Sequence, residues 1–114
     1  MKRIILIEDD LDIIELLLDV LSEKYEIFYE TNVENFFNRT DIETFDLIIT
    51  DYLLNNYSAK DIIEKYTHKK ILIISALSIS SLEILNFVDN KRVFYLQKPF
   101  VIDTLLSTVD SIIT

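Results

Sequence analysis

The sequence contains no glycine and no cysteine, and it has a single proline, Pro99, and a single histidine, His68. The lack of cysteine excludes a disulfide framework, a thiolate zinc site and a cysteine nucleophile. A lone histidine also excludes a metal cluster built from several histidines. Because glycine is absent, the chain must form its turns with Asn, Asp, Ser and Thr.

Length and charge restrict the class of protein further. The 114 residues, half of them hydrophobic, predict a single domain over residues 1–114 with one core. The net charge of −9 would repel phosphate backbones, so we expect no direct contact with nucleic acid. No apolar run approaches the ~20 residues of a membrane span, and the N-terminus lacks the long apolar region of a signal peptide. We therefore expect a cytoplasmic domain that does not contact a membrane.

Five short apolar runs alternate with segments of helical periodicity. Four of the five are apolar almost throughout and rich in β-branched residues, which is typical of strands covered on both faces of a parallel sheet. The predicted strands are Arg3–Ile7, Tyr25–Tyr29, Asp46–Thr50, Ile71–Ile74 and Val93–Leu96.

Apolar residues recur at helical spacing between and after these strands. The stripe of the first predicted helix consists of Leu11, Ile14, Leu17, Leu18 and Leu21, and that of the last consists of Val101, Leu105, Val109 and Ile112. The alternation of strand and helix predicts a (βα)₅ chain, which is an α/β fold with a doubly wound, five-stranded parallel sheet and right-handed crossovers.

Polar residues mark where the intervening helices begin. Thr31 with Glu34 predicts a capping box at the start of the second helix, and Ser80 with Glu83 predicts another at the start of the fourth, in the segment Ser78–Asn90. Ser58 predicts the N-cap of the third helix.

Residues with reactive side chains follow four of the five strands. In an open α/β sheet, ligands bind beyond the carboxyl ends of the strands, so these residues should lie on one rim. They are Glu8, Asp9 and Asp10 after the first strand, Asp51 after the third, Ser75 after the fourth, and Lys98 with Pro99 after the fifth.

The charges expected at this rim are complementary. Glu8, Asp9 and Asp51 cannot all ionise cheaply at close range, because like charges raise one another's pKa. Mg²⁺ prefers hard oxygen ligands such as carboxylates, and it usually keeps several coordination positions for water and phosphate oxygens. Lys98 would place a positive charge, and Ser75 a hydroxyl, against phosphoryl oxygens. The pattern predicts a phosphoryl-transfer site in which Asp51 is the nucleophile.

The chain resembles the response-regulator receiver domains, the CheY-like family of two-component signalling. The resemblance lies in four stretches in the correct order: IILIEDD, FDLIITDYLL, ILIISA and VFYLQKPF. It implies the flavodoxin-like strand order 2-1-3-4-5, and a Mg²⁺ ion held by Glu8, Asp9, Asp51 and the backbone carbonyl of Leu53. It also implies phosphorylation of Asp51, assisted by Lys98.

The resemblance extends to conformational switching and partners. It implies a cis peptide before Pro99 and a switch formed by Ser75 and Tyr95. A sensor histidine kinase would donate the phosphoryl group, and the domain would catalyse only its own phosphorylation and dephosphorylation, so it would not be an enzyme acting on other substrates. The face formed by the fourth helix, fifth strand and fifth helix is the candidate for a homodimer. The output would be regulated directly or through an effector domain, which is often DNA-binding in this family.

Two features depart from the family pattern. The loop after the phosphoacceptor usually carries a proline and then a glycine, and here those positions hold Asn55 and Ala59. Because Ala tolerates a left-handed backbone poorly, this loop should be reshaped or strained. The stretch from Asp51 to Ser75 is also short, which predicts a trimmed third helix.

Parts of the sequence are compatible with two other functions. Asp10 and Asp12 match the Asp-x-Asp pattern of haloacid-dehalogenase-type phosphatases, but Ile13 follows where Thr or Val is usual, and the chain has no room for a cap domain. A degenerate receiver that only binds proteins is the other alternative. Such receivers usually lose an acidic residue, the phosphoacceptor or the lysine, and this chain retains all of them.

Overall fold

The predicted apolar runs form the central sheet of the computed structural model, which describes residues 1–78 and 86–114. The strands in these ranges are β1 (Arg3–Ile7), β2 (Glu26–Glu30), β3 (Leu47–Thr50), β4 (Leu53–Leu54), β5 (Tyr57–Ser58), β6 (Ile71–Ser75) and β7 (Val93–Gln97). Five of them pair in parallel in the order β2-β1-β3-β6-β7, while β4 and β5 form a separate antiparallel hairpin. Without the hairpin, this is the predicted order 2-1-3-4-5, so the predicted fold class is confirmed.

Helices follow the strands on both sides of the sheet. In the described residues they are α1 (Leu11–Leu21), α2 (Val33–Phe37), α3 (Ala59–Lys65) and α4 (Ile102–Ile113), with a short 3₁₀ helix at Ile42–Thr44. None of these helices is long and apolar enough to cross a membrane.

Alternating side chains of each strand supply two separate cores, because successive residues of a strand point to opposite faces of the sheet. On one face, Ile5 of β1 is buried together with Phe36 of α2 and Ile62 of α3. On the other face, Leu6 of β1 is buried together with Leu17 of α1 and Leu105 of α4. The sheet is therefore doubly wound, and nearly continuous apolar strands are needed to fill both cores.

The start of α2 differs from the prediction by one residue. Asn32, not Thr31, is the N-cap, and its side chain accepts a hydrogen bond of 2.8 Å from the Asn35 N–H. Asn caps helices at least as well as Thr, and this register buries Val33, the first residue of the helix. The predicted capping box of Thr31 with Glu34 is wrong.

Two predicted core positions are exposed instead. Leu11 and Val101 are 67% and 65% exposed, whereas the later residues Ile14, Leu17 and Leu21 of α1 are buried as predicted. Leu11 is the first residue of α1 and Val101 is the N-cap of α4. Both therefore lie where a helix begins.

The predicted fourth helix, Ser78–Asn90, falls mostly on residues 79–85. These residues, with the predicted capping box of Ser80 and Glu83, lie outside the described part of the chain. The described residues that follow, 86–90, form a turn and irregular structure.

The loop after β3 is reshaped, which is one of the two outcomes that the sequence predicts. Leu54 and Tyr57 pair across a turn of Asn55 and Asn56, and Asn56 adopts a left-handed φ of 64°. Ala59 is buried at the first position of α3. The left-handed conformation thus falls on an Asn, which tolerates it. Helix α3 has only seven residues, in agreement with the predicted trimming.

Candidate functional site

Backbone hydrogen bonds extend the sheet past the strand ends and hold the predicted residues on one rim. The Glu8 N–H donates to the Glu30 carbonyl at 3.2 Å, and the Asp51 N–H donates to the Ile7 carbonyl at 3.4 Å. The Lys98 N–H donates to the Ser75 carbonyl at 2.8 Å. Residues that are far apart in sequence therefore meet at the carboxyl end of the sheet, where α/β proteins bind their ligands.

The ammonium group of Lys98 lies between two carboxylates. Its Nζ is 3.3 Å from Asp51 Oδ2 and 3.6 Å from Glu8 Oε2. The Glu8 side chain is 6% exposed, and the Asp51 and Lys98 side chains are each 20% exposed. Screening by water is weak at such a site, so these charges interact more strongly than exposed pairs do.

Burial raises the pKa of the Glu8 carboxyl above its usual value, and the nearby charge of Asp51 raises it further. The Asp10 N–H, which donates to Glu8 Oε1 at 3.2 Å, and the Lys98 ammonium oppose this rise. A further positive charge at this point would favour the ionised form of Glu8.

The carboxylate of Asp51 is oriented by a different donor at each oxygen. Oδ1 accepts a hydrogen bond of 2.6 Å from the Tyr52 N–H, and Oδ2 accepts one of 3.3 Å from Lys98 Nζ. The Tyr52 amide was not predicted as part of the site. A backbone donor has no residue signature, and only the local chain direction after β3 could have indicated it.

Asp9 lies apart from the Lys98 bridge. Its side chain is exposed and borders a cavity of about 30 Å³ whose other lining residues are Thr31, Asn32, Val33, Leu54 and Asn55. Across residues 1–78 and 86–114, no group of three His, Cys, Asp or Glu side chains is arranged so that it could hold a metal ion. The structure therefore brings Glu8 and Asp51 to Lys98 but does not gather all three predicted acidic ligands around one point.

Asp10 has a structural partner. Its side chain accepts a hydrogen bond of 2.9 Å from the Asp12 N–H and is the N-cap of α1. An oxygen that caps a helix satisfies one of the first backbone donors of that helix. This placement gives no support to Asp10 as the nucleophile of a phosphatase.

Ser75 and Tyr95 are joined through one carbonyl group. The Tyr95 hydroxyl donates to the Ser75 carbonyl at 3.2 Å, and the buried Ser75 Oγ accepts a 3.3 Å hydrogen bond from the Leu77 N–H. Burial, and then the negative charge of Asp51, raises the pKa of the Tyr95 hydroxyl. Tyr95 is thus electrostatically linked to Asp51, although it lies within a different strand, β7.

The two remaining predicted features lie in the segments that follow β3 and β7. The peptide between Lys98 and Pro99 is cis, the geometry that the resemblance implies. Leu53 lies in β4, two positions after Asp51, and is 60% exposed.

Known proteins similar to this chain include a curated regulatory protein and solved response regulators. No protein-family model matches it. The nisin biosynthesis regulatory protein NisR of Lactococcus lactis is 26% identical over 113 residues, which cover 96% of this chain and 49% of NisR. The chain thus spans about half the length of this curated relative.

Solved structures extend the likeness. The response regulator TrrA of Thermotoga maritima, solved in complex with Mg²⁺ and BeF, is 30% identical with a TM-score of 0.79, covering 98% of this chain and 99% of TrrA. A CheY-like receiver domain of Methanospirillum hungatei is 24% identical with a TM-score of 0.83, covering 97% of this chain and 92% of that structure. The fold, the rim and these relatives agree, and the chain belongs to the CheY-like receiver domains of two-component response regulators.

Proposed function

We propose that residues 1–114 form one receiver domain that accepts a phosphoryl group on Asp51 from a sensor histidine kinase, in a Mg²⁺-dependent reaction. The observation that carries this proposal is the position of Lys98 Nζ, 3.3 Å from Asp51 and 3.6 Å from the buried Glu8. A carboxylate beside an ammonium group, with a second acid for a cation, is what phosphoryl transfer to a carboxylate requires.

The reaction would form one bond and break one bond. A carboxylate oxygen of Asp51 attacks phosphorus as the phosphorus–nitrogen bond of a phosphohistidine breaks, and the electron pair returns to the imidazole. Lys98 stabilises the charge on the phosphoryl oxygens. The Tyr52 amide, hydrogen-bonded to Asp51 Oδ1, holds the carboxylate in one orientation, so less reorganisation is needed in the transition state.

The donor chemistry of the rim fits Mg²⁺. Glu8 and Asp51 offer hard carboxylate oxygens, and the raised pKa of Glu8 is of the kind that a cation would reverse. When bound, the ion would neutralise charge on the phosphoryl oxygens. Asp9 and the Leu53 carbonyl would complete the ligand set. Since the acidic side chains are not gathered at one point, we expect them to rotate towards the cation and Lys98 to leave its position between Glu8 and Asp51.

Phosphorylation would change the conformation through Ser75 and Tyr95. An aspartyl-phosphate adds about −1.5 to −2 charge if it behaves like other protein phosphates. The buried Ser75 hydroxyl would turn from the Leu77 amide to the phosphoryl group. Because the Ser75 carbonyl accepts from both Tyr95 and Lys98, a shift of Ser75 would move both partners.

The partners and output follow from this cycle. The domain would catalyse only its own phosphorylation and dephosphorylation, in the cytoplasm, and regulate an output directly or through an effector domain. Any homodimer would use the face of β7, α4 and the predicted fourth helix, of which residues 79–85 lie outside the described structure. The acidic domain itself would not contact nucleic acid.

Intact-mass measurement after incubation with acetyl phosphate tests the proposal. The wild-type protein should gain one phosphoryl group with Mg²⁺ and none with EDTA, and Asp51→Asn should gain none. Asp10→Asn is the matched control, because Asp10 caps α1, and it should be modified like the wild type. A wild-type protein that gains no mass with Mg²⁺ would support the degenerate receiver, and loss of modification only in Asp10→Asn would support the phosphatase.

A further inference from the structure

The hairpin that follows Asp51 fixes the direction of the Leu53 carbonyl. Leu53 pairs with Ser58, and one position earlier the Ala59 N–H donates to the Tyr52 carbonyl at 2.8 Å. Hydrogen-bonded and non-hydrogen-bonded pairs alternate along an antiparallel ladder. Leu53 and Ser58 therefore form a non-hydrogen-bonded pair. The N–H and carbonyl groups of each residue point away from the partner strand. In agreement, the Ser58 N–H donates outside the ladder, to Asp61 Oδ2 at 2.9 Å.

Such a hairpin needs packing to hold its shape. Each of its strands has only two residues, and an isolated two-stranded hairpin is marginally stable at best. Side-chain contacts with the rest of the domain are therefore expected to stabilise its shape.

Tyr57 supplies the contact that fastens the hairpin to the domain. Its ring lies edge-on to Phe37 of α2, with centroids 5.6 Å apart and an interplanar angle of 88°. The paired residues Leu54 and Tyr57 are both half-buried against the core of that face of the sheet, whereas the neighbouring Leu53 is exposed. Edge-to-face aromatic pairs contribute about 0.5–1.5 kcal/mol beyond the area they bury.

We propose that Tyr57 is a positioning residue for cation binding, an inference that rests on the proposed Mg²⁺ site. By anchoring the hairpin on Phe37, Tyr57 fixes the Leu53 carbonyl and the Tyr52 amide relative to the Asp51 carboxylate. The aromatic contact supplies rigidity that two strands of two residues each do not supply by themselves. Tyr57 itself does not touch the reacting atoms.

Mg²⁺ titration by calorimetry, in the absence of any phosphoryl donor, tests this role. Tyr57→Ala should weaken Mg²⁺ binding about tenfold, the size expected when a supporting contact around a metal ligand is removed. Tyr57→Phe keeps the ring and should stay within about twofold of the wild type. If Tyr57→Ala does not fold, Tyr57→Leu retains apolar volume without the ring and takes its place.

Tyr66→Ala is the matched control for lost stability. Tyr66 belongs to the same aromatic cluster, 5.3 Å from Phe36 and 6.3 Å from Phe37 between ring centroids, but it is the C-cap of α3 and not part of the hairpin. Urea denaturation with EDTA should show that Tyr66→Ala is destabilised, while its Mg²⁺ affinity stays within about twofold of the wild type.

Three outcomes would overturn the inference. A folded Tyr57→Ala or Tyr57→Leu protein that binds Mg²⁺ like the wild type would do so and leave the proposed function intact. An equal loss of affinity in Tyr66→Ala would reduce Tyr57 to a general contribution to stability. A wild-type protein that binds no Mg²⁺ and gains no phosphoryl group would overturn this inference together with the proposed function.

Discussion

Carboxylates of this chain differ in acidity because their immediate surroundings differ. Burial raises the pKa of Glu8, while the N–H groups of Val93, Arg92 and Lys91, each donating at 2.9 Å, lower the pKa of Asp89 to about 2. These three backbone hydrogen bonds give Asp89 a structural role in the turn before β7. Glu8 is instead buried close to Asp51, so a bound cation would favour its ionised form.

Tyr25 gives a pH-dependent prediction at the same scale. Its hydroxyl donates to Asp110, and burial, followed by Asp110, raises its pKa to about 12 from 10.0. A raised pKa means that this contribution to stability is fully present below pH 10 and is lost as pH rises towards 12. We expect Tyr25→Phe to lower the free energy of unfolding by about 1 kcal/mol at pH 7.

Urea denaturation of both proteins from pH 7 to pH 11.5 measures this effect. The difference in the free energy of unfolding between wild type and Tyr25→Phe should narrow above pH 10, because the tyrosinate then forms in the unfolded state. Tyr29→Phe serves as the control, because Tyr29 is 47% exposed, and it should match the wild type at every pH. A gap for Tyr25→Phe that stays constant over the whole range would contradict the argument.

At the scale of elements, the turn of the hairpin depends on one residue. Asn56 has a φ of 64°, a conformation that costs other L-residues about 1–2 kcal/mol. Asn56→Ala should therefore lower the free energy of unfolding by about 1 kcal/mol, and Asn56→Gly should leave it nearly unchanged. Asn55→Ala, one residue earlier and not at a positive φ, should have the smaller effect of the two Ala variants in urea denaturation. Equal losses for all three variants would refute a backbone origin.

The elements most predictable from sequence were those specified by local pattern. The runs that form β1 and β3 were located to within one residue, because a strand buried on both faces must be apolar throughout. The start of α2 was misplaced because Thr31 and Asn32 are both good caps, and only the burial of Val33 decides between them. The hairpin was missed although Asn55-Asn56 lies between Leu54 and Tyr57 at the spacing of a two-residue turn.

The sequence indicates which residues lie on the rim, but it does not indicate how their side chains are arranged there. Strand order alone places Glu8, Asp51 and Lys98 on one rim. Their mutual contacts depend on side-chain rotamers and charge, and these turn Lys98 towards both acids while Asp9 stays exposed. The Tyr52 amide and the anchoring contact of Tyr57 depend on the path of the chain after β3, which no pattern of residue types specifies.

For the whole molecule, the concentration of acidic residues predicts that cations stabilise the fold. The chain carries a net charge of −9, and any ligand that binds only the folded state stabilises it by RT ln(1 + [L]/Kd). Mg²⁺ at ten times its dissociation constant should thus raise the free energy of unfolding by about 1.4 kcal/mol. Urea denaturation in MgCl₂ and in NaCl of equal ionic strength separates specific binding from screening.

The Asp51→Asn variant provides the matched comparison for this effect. It removes one proposed ligand and one negative charge, so the difference between MgCl₂ and NaCl should shrink while the response to NaCl alone changes little. Equal stabilisation of the wild type by both salts would mean that Mg²⁺ acts only by screening.

At the end of the sheet opposite the rim, basic side chains bind the C-terminal ends of two helices. The Arg92 guanidinium, just before β7, donates to the carbonyls of Tyr66 and Lys69 after α3 at 3.0 Å, and Lys70, just before β6, donates to the Ile112 carbonyl of α4 at 2.7 Å. The C-terminal ends of helices on both faces of the sheet are thereby tied to the base of two neighbouring strands. Arg92 and Lys70 thus hold the C-terminal ends of α3 and α4 in place. A displacement that begins near Asp51 should therefore move the N-terminal ends of both helices more than their C-terminal ends.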